Sequence, residues 1–451
     1  MFVQITGFKH QVLIAFSLYV GQLAIGYTTA WSGPVISKLR DLEQSPLPEL
    51  LTETQLSFVA TMLYLGCIPG PYVMTWLSNT KGRRPCLMAS GLVCIIAYII
   101  LATAHNVWML FIGRFIAGFG SGSINVGNLV YMGEMASPKI RGILLVVYGV
   151  FFTMGSILLY STGPYVSYQG TTYIGLGLNL LQVVAIFFVP ETPLFYALQG
   201  REEEMVKVLD QLGRSQDVDK LLKRKQEFTN SNTKQEWKEL FTIKSNRKAL
   251  FIVVTINIFQ HISGVLAIVF FSAAIFDMAG SSIPAHLSMI IIGCFQLIGS
   301  TVTPFFVEGS GRRKILMLSC ATCSLSMFLL GLYFYLDLIG NPIVDNIKWM
   351  PLVVLILYYI GYDSGLGIIP NAIIGEMFTS NVRSKGSTVT MTTSWLFGFA
   401  VTTAFGALLE TVGGHVAFWF FSATCAGAVL FTFFFVPETK GKTLLEIQDS
   451  L

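Results

Sequence analysis

The sequence predicts an all-α membrane protein of twelve transmembrane helices, built as two six-helix halves with a short cytosolic helical insert between them. Three observations predict it: uncharged windows long enough to cross a bilayer, lysines and arginines gathered in alternate loops, and an internal repeat. The chain of 451 residues is 53% hydrophobic and 12% charged, against about 25% charged in soluble domains. So much apolar surface would aggregate in water. The bilayer is its natural solvent.

A membrane-spanning helix needs about 20 apolar residues. Residues 11–37, 54–80, 249–276, 278–307, 386–409 and 411–437 are uncharged windows of that size. Residues 142–190 carry no charge and hold two spans, joined by a hairpin around Gly163-Pro164 or Gln169-Gly170. With the remaining apolar segments the count is twelve.

Basic residues set the orientation. Lys81, Arg83 and Arg84 lie between spans 2 and 3, and Lys139 and Arg141 between 4 and 5. Arg312, Arg313 and Lys314 follow span 8, Arg383 and Lys385 follow span 10, and Lys440 and Lys442 follow span 12. The hairpins 5–6, 7–8 and 11–12 have no Lys or Arg. The positive-inside rule then places both termini and the insert in the cytosol. Only the first loop dissents, where Lys38 and Arg40 are offset by Asp41, Glu43, Glu49 and Glu53. The net charge of +4 sits in juxtamembrane loops, which points to anionic lipid and away from nucleic acid. The apolar run from Gln11 continues as span 1 and lacks a cleavage site for a signal peptide. Cys320 and Cys323 form a CxxC inside span 9, the five histidines have no metal spacing, and no phosphate-binding glycine loop occurs. Neither a metal nor a cofactor is expected, and no nucleophile–base pair suggests an enzyme.

The chain repeats itself. Gly82-Arg83-Arg84-Pro85 is answered by Gly311-Arg312-Arg313-Lys314, and Pro190-Glu191-Thr192-Pro193 by Pro437-Glu438-Thr439-Lys440. Glu134 stands seven residues before Arg141, as Glu376 does before Arg383. Residues 1–193 are thus one half and 248–437 the other, with a helical linker at 194–247 and a tail at 438–451. Halves of this kind carry a solute site near the membrane midplane. The linker mixes charges with Met205, Val206, Val208, Leu209 and Leu212, a pattern of short amphipathic helices.

In span 4, Gly113/Ala117, Gly118/Gly122 and Ser123/Gly127 form small-xxx-small pairs that permit close helix approach. Gly26, Gly365 and Gly367, with Pro34 and Pro370, mark places where a span can bend or unwind. The charged residues at helix ends form two matching sets. Arg83, Arg84, Glu134, Arg141 and Glu191 can meet beneath one half, and Glu308, Arg312, Glu376, Arg383 and Glu438 beneath the other. Such pairs would latch the cytosolic helix ends, each contributing about 1 kcal/mol if partly solvated.

These motifs, with Gly113-Arg114, Tyr131-Met132-Gly133-Glu134, and Gln260 before Ser263-Gly264, resemble the sugar porter family of the major facilitator superfamily over nearly the whole chain. Span 1, from Gly26 to Pro34, is most similar to the insect facilitated trehalose transporter branch. The resemblance implies a major facilitator fold, adds Arg114 to the gating charges, and implies sugar contacts at Gln260, His261, Gln296, Asp363, Asn371 and Trp395. Departures are concentrated there. His261 stands for a second glutamine, Leu266 for an asparagine, Gly149 for a span 5 glutamine, and Asn371 for a tryptophan. Phe270-Phe271 lacks the usual hydroxyls, and Asn79-Thr80 replaces an Asp-Arg pair.

A sugar site must return to each hydroxyl the hydrogen bonds it had in water. Asn257, Gln260, Gly264 and Ala267 make a small, polar stripe at helical spacing, which suits a cavity wall. The reading is a facilitative transporter of a hexose or a disaccharide such as trehalose, in the plasma membrane, acting as a monomer by alternating access. Two alternatives remain. A proton symporter of this family would carry a span 1 carboxylate where this chain has Thr28. A non-transporting sugar receptor of the same fold usually has a long cytosolic tail, and here about eleven residues follow Lys440.

Overall fold

The computed structural model describes residues 2–229, 233–379, 382–440 and 446, and the side chain of Glu308 lies outside those described. Every regular element among them is helical. Span 1 is α1 (Phe2–Ala30) with α2 (Ser32–Leu39), and span 2 is α3 (Glu53–Cys67) with α4 (Pro69–Lys81). Spans 3 to 6 are α5 (Arg83–Ala102), α6 (Val107–Met135), α7 (Pro138–Thr162) and α8 (Tyr168–Phe187). The insert is α9 (Pro193–Leu198), α10 (Glu202–Gln211), α11 (Val218–Thr229) and α12 (Thr233–Thr242). Span 7 is α13 (Lys244–Ile262) with α14 (Val265–Met278), followed by α15 (Ala285–Ser310) and α16 (Arg312–Leu338). After the short α17 (Ile343–Asn346), span 10 is α18 (Met350–Gly361) with α19 (Ile369–Met377). Helices α20 (Arg383–Thr411) and α21 (Gly414–Phe435) follow.

Among the described residues, ten stretches are long and apolar enough to cross a membrane. The other two spans are α15 and α20, with 26 and 29 residues, each about 40 Å at 1.5 Å per residue. The polarity of α20 comes from serines and threonines that satisfy themselves. Thr388, Thr390, Thr393, Ser394, Thr402 and Thr403 each donate to the carbonyl one turn earlier.

The breaks have local causes. Span 7 breaks at Gly264, whose φ of +95° suits glycine. Span 10 passes through a π-helical turn at Tyr362–Leu366, a feature that frees backbone carbonyls and often marks a functional site. Gly365 and Gly367 fall in this break, as their sequence context suggests. Gly26 does not bend its span; the interruption comes at Trp31. The span 5–6 hairpin turns at Gly163–Tyr165, while Gln169-Gly170 lies inside α8.

Two compact units emerge: residues 1–31, 42–50 and 62–231 form the first, and 32–41, 51–61 and 232–451 the second. In the first, glycines set two helix crossings. A Cβ on Gly26 would overlap the Phe152 carbonyl, and one on Gly155 the Leu23 carbonyl, so α1 and α7 touch backbone to backbone. Helices α3 and α6 do the same, with Gly66 against Phe115 and Gly118 against Leu63. The small pairs of span 4 therefore serve packing. The insert up to α11 lies in this unit, where Arg214 donates to the Glu134 and Met135 carbonyls at 2.8 and 2.9 Å and pairs with Asp217 at 2.9 Å, whereas α12 belongs to the second unit. Gln11 spans the same joint, donating to the Leu212 carbonyl at 2.7 Å and accepting from the Ser137 N–H at 2.9 Å.

In the second unit, residues 51–61 lie along α20. Thr403 donates to Thr61 at 3.1 Å, and Phe58 meets Phe399 with ring centroids 6.5 Å apart. Arg40 pairs with Glu53 at 2.5 Å, which offsets one of the two basic residues in the loop that dissents from the charge rule.

Candidate functional site

The charged helix ends repeat almost atom for atom. In the first unit, Arg83 forks onto Glu134 at 3.0–3.2 Å. Glu191 accepts the backbone N–H groups of Arg83 and Arg84, both at 3.0 Å. In the second, Arg312 reaches Glu376 at 3.3 Å, and Glu438 accepts the N–H groups of Arg312 and Arg313 at 3.0 and 3.2 Å. Each carboxylate thus caps a helix N-terminus, where exposed N–H groups and the dipole favour an anion. The glycine before each Arg-Arg pair is required. Gly82 and Gly311 have φ of +114° and +89°, and a Cβ on either would run into the capping carboxylate.

The second arginines act alike too. Arg84 donates to the Phe187 carbonyl and lies over the Phe187 ring at 5.3 Å, and Arg313 does the same with Phe433 at 5.5 Å. Arg141 bonds the Ala136 carbonyl at 3.1 Å, and Arg383 the Phe378 carbonyl at 3.2 Å. Arg114 does not belong to this cluster. It lies twenty residues before Glu134 on α6, about 30 Å away along the helix. There it is buried, donates to the Thr28 carbonyl at 2.9 Å and stacks over Trp31 at 5.1 Å. Thr28 itself bonds the Ala24 carbonyl at 2.7 Å and the Tyr98 hydroxyl at 2.9 Å.

The two networks differ in burial. Arg83 and Glu134 are 4% and 7% exposed, whereas Arg312 and Glu376 are 24% and 28% exposed. The expectation of partly solvated pairs therefore holds only for the second; in the first, the Phe195 ring of α9 lies 5.6 Å from the Arg83 guanidinium. The two caps also titrate in opposite senses. Burial holds the Glu191 carboxyl above the usual glutamate range despite its backbone donors. At Glu438 burial also acts upward, but the N–H groups of Lys440, Arg312, Arg313 and Thr439 together outweigh it and hold the carboxyl below that range. A lowered carboxyl stabilises the fold above the ordinary value and loses that contribution as pH falls; a raised one does the reverse. Below about pH 5, Glu438→Gln should flatten the acid fall of Tm in detergent, and from pH 7 down to about 5, Glu191→Gln should steepen it. Shifts in the same direction would contradict the assignment.

The proposed sugar contacts gather around the broken part of span 10. Gln260 donates to the Gly367 carbonyl at 3.0 Å, and Asn257 to those of Val253 and Pro370 at 2.9 and 3.5 Å. His261 Nδ1 lies 3.0 Å from the Asn257 carbonyl. Asp363, on the π-turn, is buried beside Gly299, and Gln296 shares that face of α15 one turn earlier. Trp395 is in line with Phe399 and Thr403, the face of α20 that meets residues 58–61. Among the described residues, no hydrogen bond joins Gln296, Asn371 or Trp395 to the others. Of the departures, Gly149 has open space where a side chain would be, and Phe271 is packed against Phe405 at 5.5 Å. The sequence reading missed Ser319, whose hydroxyl donates to the Gly361 carbonyl at 2.6 Å and accepts the Leu366 N–H at 2.8 Å, stapling the π-turn. As one of several hydroxyl residues on α16, with Thr322, Ser324 and Ser326, it carried no distinguishing signal.

The family model described as sugar (and other) transporter matches residues 14–451. The chain belongs to this family. It is 31% identical over 448 residues to a facilitated trehalose transporter, Tret1, of Polypedilum vanderplanki, covering 98% of this chain and 88% of that protein. It is equally similar to Tret1 of Drosophila mojavensis over 445 residues, 98% of this chain, but spans only 51% of that relative's length. Among solved structures, the inward-open xylose transporter XylE of E. coli superposes with a TM-score of 0.81 at 22% identity, over 98% of this chain and 99% of that one. XylE bound to 6-bromo-6-deoxy-D-glucose gives 0.77 at 22% identity, with 98% and 99% covered. The fold is that of the major facilitator superfamily, and the chain is a multi-pass membrane protein of a sugar transporter family.

Proposed function

We propose that this chain is a uniporter that carries a hexose, or a disaccharide such as trehalose, across the plasma membrane by alternating access. Residues 1–193 and 248–437 are the moving halves, with both termini and the insert at 194–247 in the cytosol. Basic residues at the Gly82 and Gly311 helix ends support that orientation. It acts as a monomer in contact with membrane lipid.

Thr28 is the observation that carries uniport. A proton-coupled relative of the kind the sequence resembles would hold a carboxylate there, where it could exchange a proton beside a cation. This chain places a hydroxyl at the position, already bonded to Ala24 and Tyr98, with Arg114 on the Thr28 carbonyl. The sugar reading rests on the family and on the polar turn around Asn257, Gln260 and His261; the trehalose transporters among the relatives favour a disaccharide.

Gln260→Ala should cut uptake of radiolabelled glucose and trehalose in proteoliposomes roughly tenfold, the weight of one buried hydrogen bond and its stranded partner. Wild-type uptake of both sugars in that variant would remove Gln260 from the site.

A further inference from the structure

Arg114 takes no part in the charged helix ends, and its surroundings call for an anion. Its side chain is fully buried on α6, donating to the Thr28 carbonyl at 2.9 Å, with the guanidinium 5.1 Å from the centre of the Trp31 ring. The titratable groups that act on its charge are Tyr98, Cys67, Tyr64 and Tyr168, hydroxyls and a thiol that are uncharged at neutral pH. Residues 1–40, 54–133 and 142–190 contain no aspartate or glutamate. Glu134 and Glu191 belong to the network at the Gly82 helix end, and Glu43 and Glu49 are exposed in the first loop. The first unit thus buries a cation among segments that supply no carboxylate. A charge inside a membrane protein is costly unless a counter-charge offsets it.

Trp31 is an independent observation pointing the same way. It is fully buried at the break between α1 and α2, and its indole Nε1 has no hydrogen-bond partner among the described residues. An indole nitrogen only donates, and so does a guanidinium. Tyr168 meets the Trp31 ring edge to face at 6.0 Å, which offers at most a weak N–H contact to a π face. A buried N–H in want of an acceptor therefore lies beside a buried positive charge. One small anion answers both.

We propose that Arg114 and Trp31 form a binding site for a small monovalent anion of the halide class, chloride under physiological conditions, with the guanidinium and the Trp31 Nε1–H as its donors. One positive charge matches one negative charge; a divalent anion such as sulfate would leave a net charge buried. Both residues lie in the first unit, and the site is independent of which solute the protein carries.

The test exchanges the purified full chain into sodium gluconate in detergent and adds back chloride, bromide or sulfate at constant ionic strength. Chloride and bromide should raise Tm saturably, by about 1–2 °C at about ten times Kd, and sulfate should not. The indole nitrogen-15 resonance of Trp31, assigned with Trp31→Phe, should move with the same midpoint. Thr28→Asp supplies a carboxylate from the residue whose carbonyl already meets Arg114, so the counter-charge becomes internal and the halide response should vanish. Should that variant fail to fold, the wild-type Trp31 resonance and a bromide anomalous peak within hydrogen-bonding distance of Nε1 decide the matter. A Trp31 resonance that stays still across the halide range would overturn the site. So would a rise in Tm as large with sulfate as with chloride, or a halide response undiminished in Thr28→Asp.

Discussion

Glu134→Gln should lower the yield and Tm of folded protein sharply, whereas Glu376→Gln should leave both near wild type and change gating instead. The two glutamates hold equivalent places, but their surroundings decide the outcome. Removing Glu134 leaves the Arg83 guanidinium charged in a site where the side chain is 4% exposed, and stranding a buried charge costs about 3–5 kcal/mol. Arg312 is 24% exposed beside Glu376, so water can replace the lost carboxylate and the loss is about 1 kcal/mol. A change of that size barely alters folding but shifts a two-state equilibrium by about fivefold. Fluorescence-detected size exclusion gives the yields, and labelling of introduced cysteines near Lys385 reads opening. Equal yields for the two variants would show that burial does not separate the networks.

Gly118→Leu should abolish folded protein. The α6 backbone meets the Leu63 carbonyl of α3 at Gly118, and the reciprocal contact of Gly66 with Phe115 holds the crossing from the other side. Overpacking usually costs about 1–3 kcal/mol when side chains can give way. Here the obstacle is a backbone carbonyl at a doubly pinned crossing, so the helices must separate and lose the Leu63, Ala97 and Ala117 cluster. Gly149→Leu, a control of the same size in open space, should fold. Normal yield for Gly118→Leu would mean that the crossing can slide, and the packing of α3 on α6 within the first unit would be wrong at that point.

Much of the fold was legible because membrane helices announce themselves by length and by missing charge. The repeat of Gly-Arg-Arg with a distant Glu was equally legible, since capping a helix N-terminus imposes the glycine, the N–H donors and the carboxylate together. Other features depend on distant partners. Arg114 looked like one more gating charge, yet its helix carries it far from Glu134. Arg83 is covered in part by Phe195 of the insert, a contact that no local pattern marks. Asn257 and Gln260 were legible as a polar stripe, but not the direction of their hydrogen bonds. The carbonyls that take up their donors belong to Gly367 and Pro370, over a hundred residues on, and are presented by a π-turn that no spacing rule predicts. The break at Gly264 was masked by the unbroken hydropathy of span 7.

The central claim is passive sugar transport, and the accumulation ratio tests it most directly. Purified protein in proteoliposomes is given radiolabelled trehalose or glucose under an imposed inward proton gradient, and inside and outside concentrations are compared at equilibrium. A uniporter with Thr28 in place of a carboxylate predicts a ratio of about one, reached at the same rate with or without a protonophore. Accumulation above that ratio, abolished by the protonophore and by Asp363→Asn, would contradict it.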